Sequence, residues 1–417
     1  MIIKRDLYLR QLISSRNNGL IKIITGIRRC GKSFLLSEIY YEYLIGEGVE
    51  DTNIINIPLD DRSFAELRDP DAMLNYIRSR LTNKKMHYVF IDEVQMLNEF
   101  VDVLNSLLHI KNVDVYVTGS NSRFLSKDVA TEFRGRGDEI HLYPLSFSEY
   151  YSAFGGNKQD RWREYYTLGG IPQMLAFNDR ERKENFLISL YSITDLNDIF
   201  ERHRIKNKAE FEELASVISS SIGAPCNPTK LSNTFRSAKG IVIDKKTVSR
   251  YLKLMLEAFR IERSIRYEVK GKKYINALSK YYFQDLGIRN AILNFRQLEE
   301  SHIMENVIYN ELRIRGYRVD VGITECRTTN KDNKTVRKTL EVDFVCNKGS
   351  ERIYIQSVFA MPDEAKKEQE SGSLKAIGDS FKKVIIVKDN IMPYYDNNGF
   401  LIIGLFDFLL NPDVLDI

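Results

Sequence analysis

A chain of 417 residues, 43% apolar and 28% charged, can bury more than one core and falls in the range of two to four globular domains. Its 61 basic and 57 acidic residues leave a net charge of +4, too small to argue for a nucleic-acid partner without a local basic patch. No apolar run approaches the roughly 18 residues that span a bilayer. The N-terminus carries charges where a secretion signal is apolar, and Cys30, Cys226, Cys326 and Cys346 are too far apart for a C-x-x-C metal or redox pair. A soluble cytoplasmic protein with free thiols and no membrane contact is the expectation.

Short apolar runs alternate with helical patterns through the first third, the mark of a parallel sheet covered by helices. Strands are expected at 20–25, 53–57, 87–91, 113–118 and 139–142, with a helix from Lys32 to about Leu44. Residues 146–204 read as helical and aromatic, broken by the turn Gly169-Gly170-Ile171-Pro172. Three amphipathic helices and a two-strand hairpin, at 259–267 and 273–276 around Lys270-Gly271-Lys272-Lys273, outline a winged helix. A second α/β unit comes next: a helix near Glu305, strands at 318–322, 340–345 and 352–358, a helix at 365–381 and a strand at 383–387. The polar stretch 327–338 reads as a loop.

Gly26-Ile27-Arg28-Arg29-Cys30-Gly31-Lys32-Ser33 matches G-x-x-x-x-G-K-[ST] between a strand and a helix. The glycines let successive N–H groups face an anion, and the helix start, through Phe34, adds its positive dipole end. Lys32 would reach the β- and γ-phosphates, and Ser33 would ligate Mg2+. His87-Tyr88-Val89-Phe90-Ile91-Asp92-Glu93 ends an apolar strand in two acids. Asp92 suits the metal and Glu93 the attacking water. After the strand at 113–118, Ser120 or Asn121 could sense the γ-phosphate, with Ser120 preferred; capping of a following helix is the competing role for Asn121. Arg136, in Arg134-Gly135-Arg136, could act as an arginine finger on a neighbouring copy in a homo-oligomer, or lie solvated. No guanine-specific N/T-K-x-D segment is present, which favours ATP.

Asp244-Lys245-Lys246-Thr247-Val248-Ser249-Arg250 reads as the start of a recognition helix. Lys245, Lys246, Thr247, Ser249 and Arg250, with Lys270, Lys272 and Lys273 in the wing, could meet DNA; a solvated face or a protein partner is the equal alternative.

The segments I-T-G-I-R-R-C-G-K-S, F-I-D-E-V-Q, T-G-S-N-S, G-R-G, Y-P-L-S-F-S-E-Y, L-G-G-I-P-Q, K-Y-Y-F-Q-D-L-G-I-R-N, M-E-N-V-I-Y-N-E-L and E-V-D-F-V occur in that order along essentially the whole chain. In them the chain resembles the prokaryotic AAA-type ATPases that carry a C-terminal domain of unknown function. The resemblance implies an α/β P-loop ATPase core at 1–145, a helical lid at 146–204, a winged-helix-like segment at 205–277 and a restriction-endonuclease-like α/β domain at 278–417. It also implies ATP and Mg2+. An endonuclease site of that type needs an acid on a helix, an Asp on a strand and E-x-K on the next. Glu305 and Asp343 fit, but Gln356 and Val358 stand in the E-x-K positions, so a retained fold with a disabled site is expected. The functional expectation is ATP hydrolysis coupled to motion of the lid and C-terminal domain, on DNA or protein. The alternatives are a nucleotide-gated interaction module with little turnover and an ATP-regulated nuclease.

Overall fold

The computed structural model describes residues 2–119, 135–196, 199–200, 205, 207–240, 242–329, 335–361 and 364–416. The chain forms two compact units, each with its own sheet. The first comprises residues 1–145, 171–176 and 257–260; the second comprises 146–170, 177–256 and 261–417.

The first unit is built on five parallel strands: β1 (Ile21–Thr25), β2 (Ile54–Pro58), β3 (His87–Asp92), β4 (Val113–Thr118) and β5 (Gly137–His141), in the order β2-β3-β4-β1-β5. Parallel strands covered on both faces carry continuous apolar runs rather than alternation, and β1 and β3 are buried almost throughout. On one face Ile21, Ile23, Ile55, Ile57, Val89, Ile91, Val115 and Val117 pack under α3 (Pro70–Arg80) and α4 (Phe100–Leu107). The other face is aromatic and polar. Tyr40 packs on Phe90 and Tyr116. It projects from α2, which is helical from residue 32 to 46 with a wider π turn at Leu35–Tyr40. Beneath Tyr40 the Lys22 ammonium is bonded to Asp114, whose second oxygen accepts from Tyr116 at 2.7 Å. Burial holds the Lys22 amine below the usual lysine range despite Asp114. An amphipathic helix that the sequence reading did not anticipate, α1 (Asp6–Ser15), precedes β1.

The second unit begins with helices: α5 (Phe147–Phe154), opened by a Ser146–Glu149 capping box, α6 (Lys158–Leu168), α7 (Arg180–Ser189), α8 (Lys208–Ser220), α9 (Pro228–Thr234) and α10 (Lys245–Glu257). An eight-stranded mixed sheet succeeds them. It comprises β6 (Ile261–Glu268), β7 (Lys273–Phe283), β8 (Arg318–Thr329), β9 (Thr335–Lys348), β10 (Glu351–Val358), β11 (Lys382–Val387), β12 (Tyr394–Tyr395) and β13 (Leu401–Gly404). Their order is β12-β13-β11-β10-β9-β8-β6-β7. The hairpin expected as a wing is therefore the edge of this sheet: β6 pairs in parallel with β8, Arg266 opposite Val321. The boundary expected at 277/278 falls inside β7.

Two further expectations change. Of the stretch 327–338, residues 327–329 and 335–338 are strand rather than loop. Arg327 pairs with Arg337 and Thr329 with Thr335, so the antiparallel pairing of β8 and β9 extends through these residues. The Thr and Val residues at both ends favour strand, and this outweighs their polar neighbours. The helix expected at 365–381 is α13 (Glu364–Lys375) and stops short. Leu374 and Ile377 then turn into the core.

One edge of the sheet is closed by side chains. From α12 (Glu300–Ile314), which comes after the short α11 (Leu286–Ile292), Asn306 accepts from the Phe283 N–H and donates to the Phe283 carbonyl, both at 2.8 Å. Asn310 donates to the same carbonyl at 2.9 Å. Asn306 is fully buried. Asn306→Leu leaves a buried N–H without its partner and should cost about 2 kcal/mol. Asn310→Ala should cost less, because the carbonyl keeps Asn306. Urea unfolding followed by the fluorescence of Trp162, the one tryptophan and buried in this unit, would rank the two variants.

Candidate functional site

Parallel pairing sets strand ends level. Ile24 stands opposite Thr118, and Ile91 opposite Val117, so Asp92 falls beside Thr118. The loop after β1 and the acids after β3 thus lie at one end of the sheet, two strand spacings apart, about 10 Å.

The loop is shaped by its glycines. Gly26 has φ +143°, and a Cβ there would lie 2.2 Å from the Leu142 carbonyl; Gly31 has φ +101° and precedes the first turn of α2. Only glycine fits these positions cheaply. Ile27 and Cys30 are buried, so they anchor the loop from beneath and leave its backbone to face a ligand. Burial pushes the Cys30 thiol up, away from reactivity. Arg28 and Arg29 flank it, Arg29 at φ +65°. Lys32 is buried, and its ammonium donates to the carbonyls of Gly26 at 3.2 Å and Ile27 at 3.0 Å. Ser33 and Phe34 are exposed in the first turn of α2, where N–H groups have no helical acceptor. The groups present fit a phosphate chain and its metal: the N–H groups of the first turn of α2, one ammonium and one hydroxyl, with the Asp92 carboxylate at the same end of the sheet.

A side chain that sequence reasoning missed ties the acids together. The Thr118 hydroxyl donates to Asp92 Oδ1 and accepts from the Glu93 N–H at 3.1 Å. Glu93 sits in the left-handed region, φ +51°, which turns its side chain out of the strand direction, and Gln95 Nε2 donates to its carboxylate. Thr118 is the last residue of β4, so the register alone would have found it. The sensor candidates Ser120 and Asn121 lie outside the described residues, as does Arg134. Arg136 is exposed, and its carbonyl accepts from the Ile21 N–H at 2.9 Å. That puts it at the opposite end of β1 from the loop, about 16 Å away along five residues. It does not join the site of its own chain.

A second missed residue braces the loop. Buried Arg5 donates to the Tyr143 carbonyl at 2.6 Å and the Cys30 carbonyl at 3.4 Å, and stacks on Tyr8.

The acids singled out in the second unit also come together. Lys280 of β7, buried, lies 2.9 Å from Glu305, 2.8 Å from Glu341 and 3.6 Å from Asp343. Tyr282 donates to Glu305 at 2.7 Å, and the Ser357 N–H to Asp343 at 2.9 Å. Gln356, in the E-x-K strand, turns its carbonyl oxygen toward the Asp343 N–H at 3.4 Å and the Ser373 hydroxyl at 3.3 Å. An ammonium thus sits among the acids, but it comes from β7. Burial opposes its charge, yet Glu305, Asp343 and Glu341 outweigh that and hold Lys280 above the usual range. Burial, then Glu305, pushes the Asp343 carboxyl up to about 7.

The comparisons with known proteins agree with the first unit. Residues 18–151 match the family model described as an AAA domain, and 159–299 match a domain of unknown function, DUF8612. Fold and match together make this an AAA-type P-loop ATPase by class, with a separate C-terminal sheet domain. An uncharacterized protein of Haemophilus influenzae is 31% identical over 98% of this chain and 99% of its own length. One of Methanocaldococcus jannaschii is 26% identical over 96% and 86%. The chain belongs to the prokaryotic AAA-type ATPase family with a C-terminal domain of unknown function that the first of these relatives represents. The structure of the Aeropyrum pernix ORC1 protein in complex with DNA aligns over 70% of this chain and 92% of that one, at 13% identity and a TM-score of 0.29; at that score it carries no argument.

Lys280→Met strands buried carboxylates and should destabilise the second unit by about 3 kcal/mol at pH 8. Between the ordinary Asp pKa near 4 and the folded value of about 7, Asp343 is protonated when folded and ionised when unfolded. Its contribution therefore falls as pH rises through that window. The cost of Lys280→Met should shrink toward pH 5, where Asp343 carries its proton and needs no cation. Thermal unfolding of both proteins at pH 5 and pH 8 measures this.

Proposed function

We propose that the protein binds ATP with Mg2+ and hydrolyses it. The observation that carries this reading is the Thr118 hydroxyl joining Asp92 to the Glu93 N–H at the sheet end where the Gly26–Ser33 loop begins. The loop amides and Lys32 hold the β- and γ-phosphates, Lys32 exchanging its two loop carbonyls for phosphate oxygens. Ser33 and Asp92 hold the metal, which neutralises charge on the phosphates. Glu93 orients the attacking water and takes its proton. Ser120 remains our choice for the γ-phosphate sensor, and Arg136 could serve only a neighbouring copy in a homo-oligomer.

We further propose that turnover drives the helical and C-terminal parts. Pro172 lies 3.9 Å from where a Gly31 Cβ would stand, while residues on either side of 171–176 belong to the other unit. A change at the phosphate loop thus reaches a strap of chain that enters the second unit at both ends.

The second reading concerns the partner. On α10 the exposed residues Lys245, Lys246, Ser249, Arg250 and Lys253 share one face, and four cations there against Glu257 at the helix end favour a polyanion such as DNA. A weak-turnover module that binds protein is the alternative.

Lys32→Ala should abolish nucleotide binding measured by calorimetry. Glu93→Gln should bind ATP as the wild type does and lose at least a hundredfold in kcat; wild-type turnover in that variant removes Glu93 from its role. Turnover with and without DNA separates motor from module. Reversing Lys245, Lys246 and Arg250 to Glu should weaken DNA binding alike for all sequences and flatten its salt dependence by roughly three charges. Unchanged binding would assign the face to another partner.

A further inference from the structure

Glu93 is fixed at two ends. Its backbone is held by the Thr118 hydroxyl, and its carboxylate by Gln95 Nε2. Gln95 can reach back because Val94–Met96 forms a single tight turn, closed by Met96 N–H to the Glu93 carbonyl at 2.9 Å. Val94 and Leu97 are buried on either side, so the turn is anchored and Gln95 projects from a rigid base. The other end of the amide, Gln95 Oε1, is buried and has no hydrogen-bond partner among the described residues. The bond to Glu93 is thus what orients this side chain, and a planar amide with one oriented end passes that orientation to its partner.

We propose that Gln95 is a positioning residue for hydrolysis, holding the Glu93 carboxylate in the rotamer that meets the attacking water. This rests on the assignment of Glu93 made above. A glutamate has three rotatable side-chain bonds, and a base displaced by about 1 Å can lose on the order of a hundredfold in rate. The donor is the essential feature. Gln95→Glu keeps the shape and replaces the donor with an acceptor that repels Glu93; Gln95→Met keeps the volume with no hydrogen bond.

The test uses the full chain with ATP and Mg2+, and compares Gln95→Glu and Gln95→Met in the wild-type and Glu93→Gln backgrounds. Both substitutions should lower kcat about tenfold or more, with KM and nucleotide affinity within about twofold and melting temperature unchanged. In the Glu93→Gln background, followed by single-turnover assay, neither should lower the residual rate further, since the residue acts through Glu93. Unchanged or raised kcat in either variant overturns the proposal. So does a loss that persists in the Glu93→Gln background, or one that appears as a rise in KM. Wild-type turnover by Glu93→Gln alone overturns the assignment of Glu93 and this proposal with it, whereas an inactive Glu93→Gln beside fully active Gln95 variants overturns only the latter.

Discussion

The register between β1, β4 and β3 is the constraint on which the nucleotide site depends. With β4 lying between the other two, one hydroxyl at its end bonds to the paired acids at the end of β3 and sits level with the start of the glycine loop after β1. The buried bond between Lys22 and Asp114 guards that arrangement. Such a pair adds little net stability, because desolvating two charges offsets their attraction. It does penalise a slip: moving β4 by one residue would turn Asp114 to the opposite face, among Val89, Ile91 and the helices that cover them, and strand Lys22. Tyr116 and Tyr40 complete the bonding and so extend the same constraint to the helix that carries Lys32 and Ser33.

Much of this was legible in the sequence because it is backbone chemistry. Glycines at 26 and 31 and an apolar run ending in Asp92-Glu93 have few other uses, and the five parallel strands are implied by their hydrophobic runs. What spacing could not reveal were choices among similar polar groups. In Thr118-Gly119-Ser120-Asn121 three side chains could serve; Ser120 and Asn121 lie outside the described residues, and Thr118, the last residue of β4, binds the acids from inside the strand, where the pleat fixes its direction. Arg5 was hidden for another reason. Its bonds run to carbonyls at positions 30 and 143, and no local pattern announces a contact over such separations.

In the second unit the polar side chains of the quoted motifs bond chiefly to main chain. Asp285 caps the next short helix and accepts from the Gly170 N–H at 2.8 Å. Asn290 donates to the carbonyls of Tyr166 and Thr167, and Arg289 to that of Ser219. Burial lowers the Arg289 guanidinium to about 10. These side chains tie main chain to main chain across long sequence distances, which is why they stand out among apolar neighbours. The acids Glu305 and Asp343 were found in the sequence, but their partner Lys280 was not, because it comes from a strand outside the expected pattern.

The shared sheet has a bearing on how this protein can be divided. A fragment begun at residue 278 would retain only the far end of β7 and lose β6 altogether, so β8 would present an open row of amides and carbonyls to solvent. Such a piece would be expected to stick to itself. A cut placed just before Ile261 keeps the whole sheet, yet it parts the sheet from Ser219, Tyr166 and Thr167, whose carbonyls hold Arg289 and Asn290. The helical region and the sheet are therefore one folding unit; a cut at 145 spares it, but leaves the first unit without its segments 171–176 and 257–260.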